Sequence, residues 1–186
     1  MQTFRITATA VIFIALAGLA VYWYANRPTI QENVVKDFFN DFKKSDYNGA
    51  QEFTVDDDFY KMASQTLIRD SDGEQYLIGD VFPENRSALL EIAIESYVKQ
   101  HIAKWRYLGM DTQKLNENSY VVSFRLDIGV RDFGTGEFLA ATIHEGTVEG
   151  RAFMVKIRGS WEIQKFDLNI FSDDDLRLKP YLAQVN

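Results

Sequence analysis

The chain has no cysteine, which removes disulfides, thiolate zinc sites, cysteine nucleophiles and lipid-modified cysteine anchors together. Histidine is almost missing: His101 and His144 stand alone, far from the H-x-x-x-H or H-E-x-x-H spacing of a metal site. No glycine-rich loop opens a helix, and no G-x-S-x-G elbow occurs, so phosphate-cradling and serine-hydrolase motifs are absent. Proline is limited to three residues, and no acidic residue precedes Glu32. The overall formal charge is −7, with 27 acidic residues against 20 Lys and Arg. That balance argues against nucleic acid or an anionic lipid surface as the main partner.

What is present begins with one long apolar run. Residues 6–25 read ITATAVIFIALAGLAVYWYA, without charge, Pro, Asn or Gln. As a helix rising about 1.5 Å per residue, this run spans roughly 30 Å, the hydrocarbon thickness of a bilayer. Val11, Phe13, Leu16 and Leu19 supply its apolar length. Tyr22, Trp23 and Tyr24 close it with rings that favour the headgroup level. Arg5 in the short flank 1–5 favours an N-terminus in the cytoplasm and a domain outside the plasma (inner) membrane. A cleaved signal peptide is the alternative, since Ala15-Leu16-Ala17 and Gly18-Leu19-Ala20 both offer small residues for a cut. The run continues past both as VYWYA, which favours a retained anchor.

The rest has the size of one ordinary domain, expected over 29–171 with a tail at 172–186. With 46% hydrophobic and 14% aromatic residues, it is globular. Pro28-Thr29-Ile30-Gln31-Glu32 predicts a helix start with a capping box. Ile30, Val34, Val35, Phe38, Phe39 and Phe42 then make an apolar stripe at helical spacing. Ser45-Asp46-Tyr47-Asn48-Gly49 reads as a turn, and a second helix follows, interrupted at Asp56-Asp57-Asp58. Those three carboxylates suit the first turn of a helix through the macrodipole better than they suit a cation. Residues 69–74 lack the full spacing of a calcium loop and read as a solvated turn. After a short strand at 75–79, the longest helix is expected over 83–101. Its face is Leu89, Ile92, Ala93, Ser96 and Tyr97, broadened by Leu90, Ile94 and Val98.

From there the period becomes two. A strand over 104–112 places Trp105, Tyr107 and Gly109 on one face, and Leu115-Asn116-Glu117-Asn118 turns the chain. Tyr120, Val122, Phe124, Leu126, Ile128 and Val130 alternate with Val121, Ser123, Arg125, Asp127, Gly129 and Arg131: one dry face, one wet. A third strand is expected over 138–148, a tight turn at Glu149-Gly150, and a last strand from Phe153 to Phe171, bent at Gly159.

This order of helices, then a long helix, then long antiparallel strands, resembles the nuclear-transport-factor-2-like superfamily over 29–171. VVKDFFNDFKKSDYNGAQEF (34–53) is similar to the opening helices of its bacterial extracytoplasmic members, and GSWEIQKFDL (159–168) to their final strand. Cystatin-like domains share the helix-on-sheet plan. The resemblance implies an α+β cone in which a curved antiparallel sheet wraps the long helix, here following a transmembrane segment. It also implies that an enzyme of this fold works inside the cone through a buried Asp or His. His144, in step with Phe138, Ala140 and Thr142, is the one catalytic candidate, though a packing role suits it better.

No cofactor and no metal are expected. The open sheet face, which commonly mediates association in this fold, offers Val121, Ser123, Arg125 and Asp127 with Leu139, Ala141 and Ile143 as a binding surface. The leading expectation is a single-pass, membrane-anchored extracytoplasmic domain acting through a protein partner or homo-oligomer in a cell-envelope assembly of the secretion or conjugation kind. One alternative is a small-molecule binder or isomerase- or dehydratase-like protein using the cone's cavity. Another is a cleaved, secreted binding or immunity-type protein.

Overall fold

The computed structural model describes residues 28–69, 73–132 and 142–171, with the backbone alone for Tyr97, Asp132, Thr142, His144, Ile170 and Phe171. The apolar run 6–25 and the tail 172–186 lie outside the described residues. Among the described residues no helix is long and apolar enough to cross a membrane.

Helix α1 (Ile30–Lys43) starts as its sequence dictates. The Thr29 hydroxyl accepts from the Glu32 N–H at 3.1 Å, and the Glu32 carboxylate accepts from the Thr29 N–H at 3.2 Å. Two otherwise bare backbone donors are thereby satisfied. Val35, Phe38 and Phe39 turn into the core, and Val34 and Phe42 flank them. Burying side chains of this size stabilises by about 1.5–3 kcal/mol each. Ile30, expected on the same stripe, is exposed instead, while Gln31 beside it in the first turn is buried.

The supposed turn at 45–49 is partly a short helix, α2 (Tyr47–Gln51), capped by Asp46. A 3₁₀ turn (Val55–Asp57) leads into α3 (Phe59–Ser64), where the Asp58 carboxylate accepts from the Lys61 N–H at 2.8 Å. Two of the three aspartates thus end in the Asp58 cap and in an Asp56–Lys61 ion pair. Two short strands, β1 (Leu67–Arg69) and β2 (Gln75–Leu77), precede a one-turn helix α4 (Ile78–Val81) and the long α5 (Ser87–His101). On α5 the buried residues are Leu90 (2% exposed) and Val98, with Ala93 and Ile94 packed beside them. Leu89 (49% exposed) and Ile92 (61%) face away, so the predicted face is rotated by about one residue. The helix is apolar over so wide an arc that its periodicity did not choose a side.

Four long strands follow: β3 (Ile102–Asn116), β4 (Ser119–Asp132), β5 (Thr142–Ile157) and β6 (Ser160–Phe171). The six strands form one sheet in the order β2-β1-β6-β5-β4-β3. It is mixed rather than antiparallel, since β1 runs parallel to β6. Edge strand β3 carries three register shifts against β4, which bend the sheet and blunt its edge. One lies between Tyr107 and Gly109, so Trp105, Tyr107 and Met110 pack on the core while Gly109 falls on the opposite face, paired with Arg125. The expectation that Gly109 shares a face with Trp105 fails on this one inserted residue.

Glu149-Gly150 is not a turn. β5 runs straight through it, Glu149 paired with Arg125 and Gly150 with Phe124. The hairpin comes at Arg158 (φ 51°) and Gly159 (φ 96°), a two-residue loop with both centres in the left-handed region. The alternation in β4 holds: Val122, Phe124, Leu126, Ile128 and Val130 are all buried.

Candidate functional site

The sheet has two different faces. On the inner one, α1 lies against β4 and β6, and rings occupy the contact. Phe38 and Phe39 each lie 5.2–5.3 Å from Phe166, Phe39 lies 5.1 Å from Phe124, and Trp105 lies 5.5 Å from Phe39. Among the described residues the buried polar side chains are Gln31, Thr54 and Thr66. Two further polar atoms, Tyr47 Oη and Trp105 Nε1, are buried. Burial raises the Tyr47 hydroxyl above its ordinary pKa and pushes Tyr107 up to about 12. Tyr107 donates to the Lys36 carbonyl at 3.3 Å. His101 Nδ1 lies 3.0 Å from the Arg131 carbonyl, closing α5 against β4. His144 pairs with Val130 along the backbone, and its side chain lies outside the described residues.

On the outer face, among the described residues, no helix packs over the centre of the sheet, and a groove of about 630 Å³ runs across it. Register explains which residues meet there. One row is Gly109 (β3), Arg125 (β4), Glu149 (β5), Asn169 (β6) and Arg69 (β1); the next is Asp111, Ser123, Arg151 and Asp167. Every one of these lines the groove. Arg151 donates to Asp167 at 3.0 Å, Lys165 lies 3.6 Å from the same carboxylate, and Arg125 lies 3.6 Å from Glu149. A side chain at Gly109 would meet open space, so this glycine keeps one end of the groove clear.

The expected binding surface is thus partly assembled. Ser123 and Arg125 line the groove. Asp127 lies one pair further along, its side chain 14% exposed, between Lys104 at 3.1 Å and Arg106 at 2.9 Å. The hydrogen bond from Lys104 holds the Asp127 carboxyl below the usual carboxylate range. Asp127, expected as part of the binding surface, is therefore engaged with two cations. Val121 is a correction: it is 7% exposed, set between Gln113 and Phe153 on neighbouring strands, and offers no surface. Ile143 is 52% exposed beside Gly129, away from the groove. Leu139 and Ala141 lie outside the described residues, as do the anchor residues Val11, Phe13, Leu16, Leu19, Tyr22, Trp23 and Tyr24.

Sequence reading missed Arg69, Glu149, Arg151, Asp167 and Asn169. Glu149 and Arg151 were recoverable, because continuing the period of two through Thr147, Glu149, Arg151 and Phe153 puts them on the wet face. Arg69 carried no signal, since a three-residue strand shows no period. Among the described residues no group of three His, Asp or Glu side chains is placed to hold a metal ion.

No family model matches the chain, and no curated protein matches it in sequence. In structure it is similar to a ketosteroid isomerase-like protein from Erwinia carotovora atroseptica, with 10% identity, 77% of this chain and 95% of that chain covered, and a TM-score of 0.52. It is also similar to an uncharacterized protein with a cystatin-like fold from Caulobacter vibrioides, at 10% identity, with 77% of this chain and 88% of that chain covered and a TM-score of 0.50. At such low identity these likenesses speak to architecture alone. The chain shares with these two proteins the architecture of helices on a curved sheet, described for the Caulobacter protein as a cystatin-like fold.

Proposed function

We propose that this chain carries a small-molecule-binding domain of the cone fold, with the groove on the open sheet face as its site. The observation that supports this is the convergence of five strands' polar side chains on one 630 Å³ concavity, while rings fill the contact between α1 and the sheet. That volume lies within the range of pockets that hold small ligands, about 300–1,000 Å³. Hydrogen–deuterium exchange of the full chain, with and without a library of small metabolites, tests it. Slowed exchange in β4 and β5 around Ser123, Arg125 and Arg151 is expected, and it should disappear in Gly109→Trp, whose side chain fills the groove. Protection that grows with protein concentration alone would instead assign this face to a second copy of the chain.

A second reading is isomerase- or dehydratase-like chemistry inside the cone. It is favoured by the fold shared with the ketosteroid isomerase-like protein and by the burial of the Tyr47 and Tyr107 hydroxyls. Protection confined to α1 and to β3 around Trp105, lost in His144→Ala, would replace the groove by this interior site. We also propose that residues 6–25 anchor the chain in the plasma membrane with the domain outside, where it serves an envelope assembly. Fractionation of the intact chain checks the address, and a mature N-terminus near Val21 would overturn it.

A further inference from the structure

The charges lining the groove balance in number, Arg69, Arg125 and Arg151 against Asp111, Glu149 and Asp167, but not in place. Asp167 is shared by Arg151 and Lys165, and Glu149 faces Arg125. Among the described residues Arg69 makes no ion pair. Its Nη2 and Nε donate to the Gln75 amide oxygen, once that amide is oriented to accept, at 3.0 and 3.3 Å. A neutral acceptor on one edge of a guanidinium fixes its plane and does not itself cancel its charge. Around β1, β6 and β5 the described cations Arg69, Arg151 and Lys165 face the carboxylates Asp167 and Glu149, on a chain whose overall charge is −7. The remaining lining carboxylate, Asp111, sits four strands away from Arg69 at the far end.

Spacing matters as much as sign. Neighbouring strands lie about 4.8 Å apart, so the backbones of Arg69 and Arg151, two strands from each other, are separated by roughly 10–12 Å. Two arginine side chains can close on one anion from opposite sides across that distance. The Arg125–Glu149 pair is long, and both side chains are about half exposed. Such a pair contributes little, and Arg125 is free to swing toward a bound ligand.

We infer that the groove recognises a small anion bearing a carboxylate or phosphate group, with the Arg69 guanidinium as first contact and Arg151 and Arg125 flanking it. The inference rests on the reading of the groove as the binding site. It adds the chemistry: a planar fork of N–H donors matches the two oxygens of a carboxylate or phosphate, which an ammonium does not.

Calorimetric titration of the full chain with inorganic phosphate and, separately, with succinate tests it and distinguishes the two ligand chemistries. Arg69→Gln is expected to weaken binding about tenfold or more, and Arg69→Lys by less, since it keeps the charge and loses the fork. Glu149→Gln removes a competing carboxylate and is expected to tighten binding severalfold. Binding that Arg69→Gln leaves unchanged, with its urea midpoint also unchanged, overturns the inference. If neither anion binds while an uncharged metabolite still protects β4 and β5 from exchange, the anion assignment falls and the groove remains a binding site. If nothing protects the groove, both fall.

Discussion

Replacing Gly150 by alanine separates the observed strand from the turn that the local sequence suggests. In a turn with ordinary backbone angles, Gly→Ala stabilises by about 0.4–1 kcal/mol, because the unfolded chain loses freedom. In the structure, a Cβ at Gly150 would lie 2.3 Å from Phe124 Cζ, 2.6 Å from Cε2 and 2.9 Å from Leu168 Cδ2. The Phe124 ring has no room to withdraw. It is 4% exposed, 5.1 Å from the Phe39 ring and 6.0 Å from that of Phe166. Overpacking of this kind costs about 1–3 kcal/mol, against the roughly 0.5–1 kcal/mol gained by removing a glycine from a strand. The expected net loss is about 1 kcal/mol. With a urea m-value of about 2 kcal/mol/M, the unfolding midpoint should fall by about 0.5 M at unchanged m. In a domain of this size the melting temperature should fall by roughly 2–4 °C. Phe124→Leu combined with Gly150→Ala should cost less than the two single changes added, because the smaller side chain makes the space the methyl needs. A Gly150→Ala protein as stable as wild type would refute both the close contact and the continuity of β5.

On α5, Leu90→Ala should cost about 2–5 kcal/mol while Leu89→Ala stays within about 0.5 kcal/mol; parallel urea melts decide which face is buried. Thr29→Ala should lose about 1 kcal/mol with the capping box. It also removes the 2.9 Å contact of the Thr29 and Thr112 hydroxyls, measurable as faster amide exchange at the start of α1. For Tyr107 the folded pKa is raised from 10.0 to about 12, so burial stabilises the neutral phenol. That stability is complete below pH 10 and is lost as pH rises to 12, where the unfolded chain ionises first. Tyr107→Phe should flatten this part of the alkaline stability profile, and an unaltered profile would show that Tyr107 ionises as an exposed tyrosine does.

Some of this molecule is written locally. The capping box at Thr29 and Glu32, the stripe from Val35 to Phe42, and the alternation from Val122 to Val130 follow from hydrogen-bonding chemistry and from periods of 3.6 and two. Each needs only residues a few positions apart, so the class of the fold and the inner and outer faces of β4 were determined by the sequence itself. Other features depend on what the chain meets after it folds. Gly150 looks like turn punctuation until the Phe124 ring is seen against it. Gly109 changes face because β3 gains one residue against β4, and α5 buries Leu90 rather than Leu89 because of where the sheet lies. The groove belongs to this second kind. Arg69, Arg125 and Arg151 lie on strands far apart in sequence, and the parallel pairing of β1 with β6, which no local pattern encodes, brings the first of them to the others.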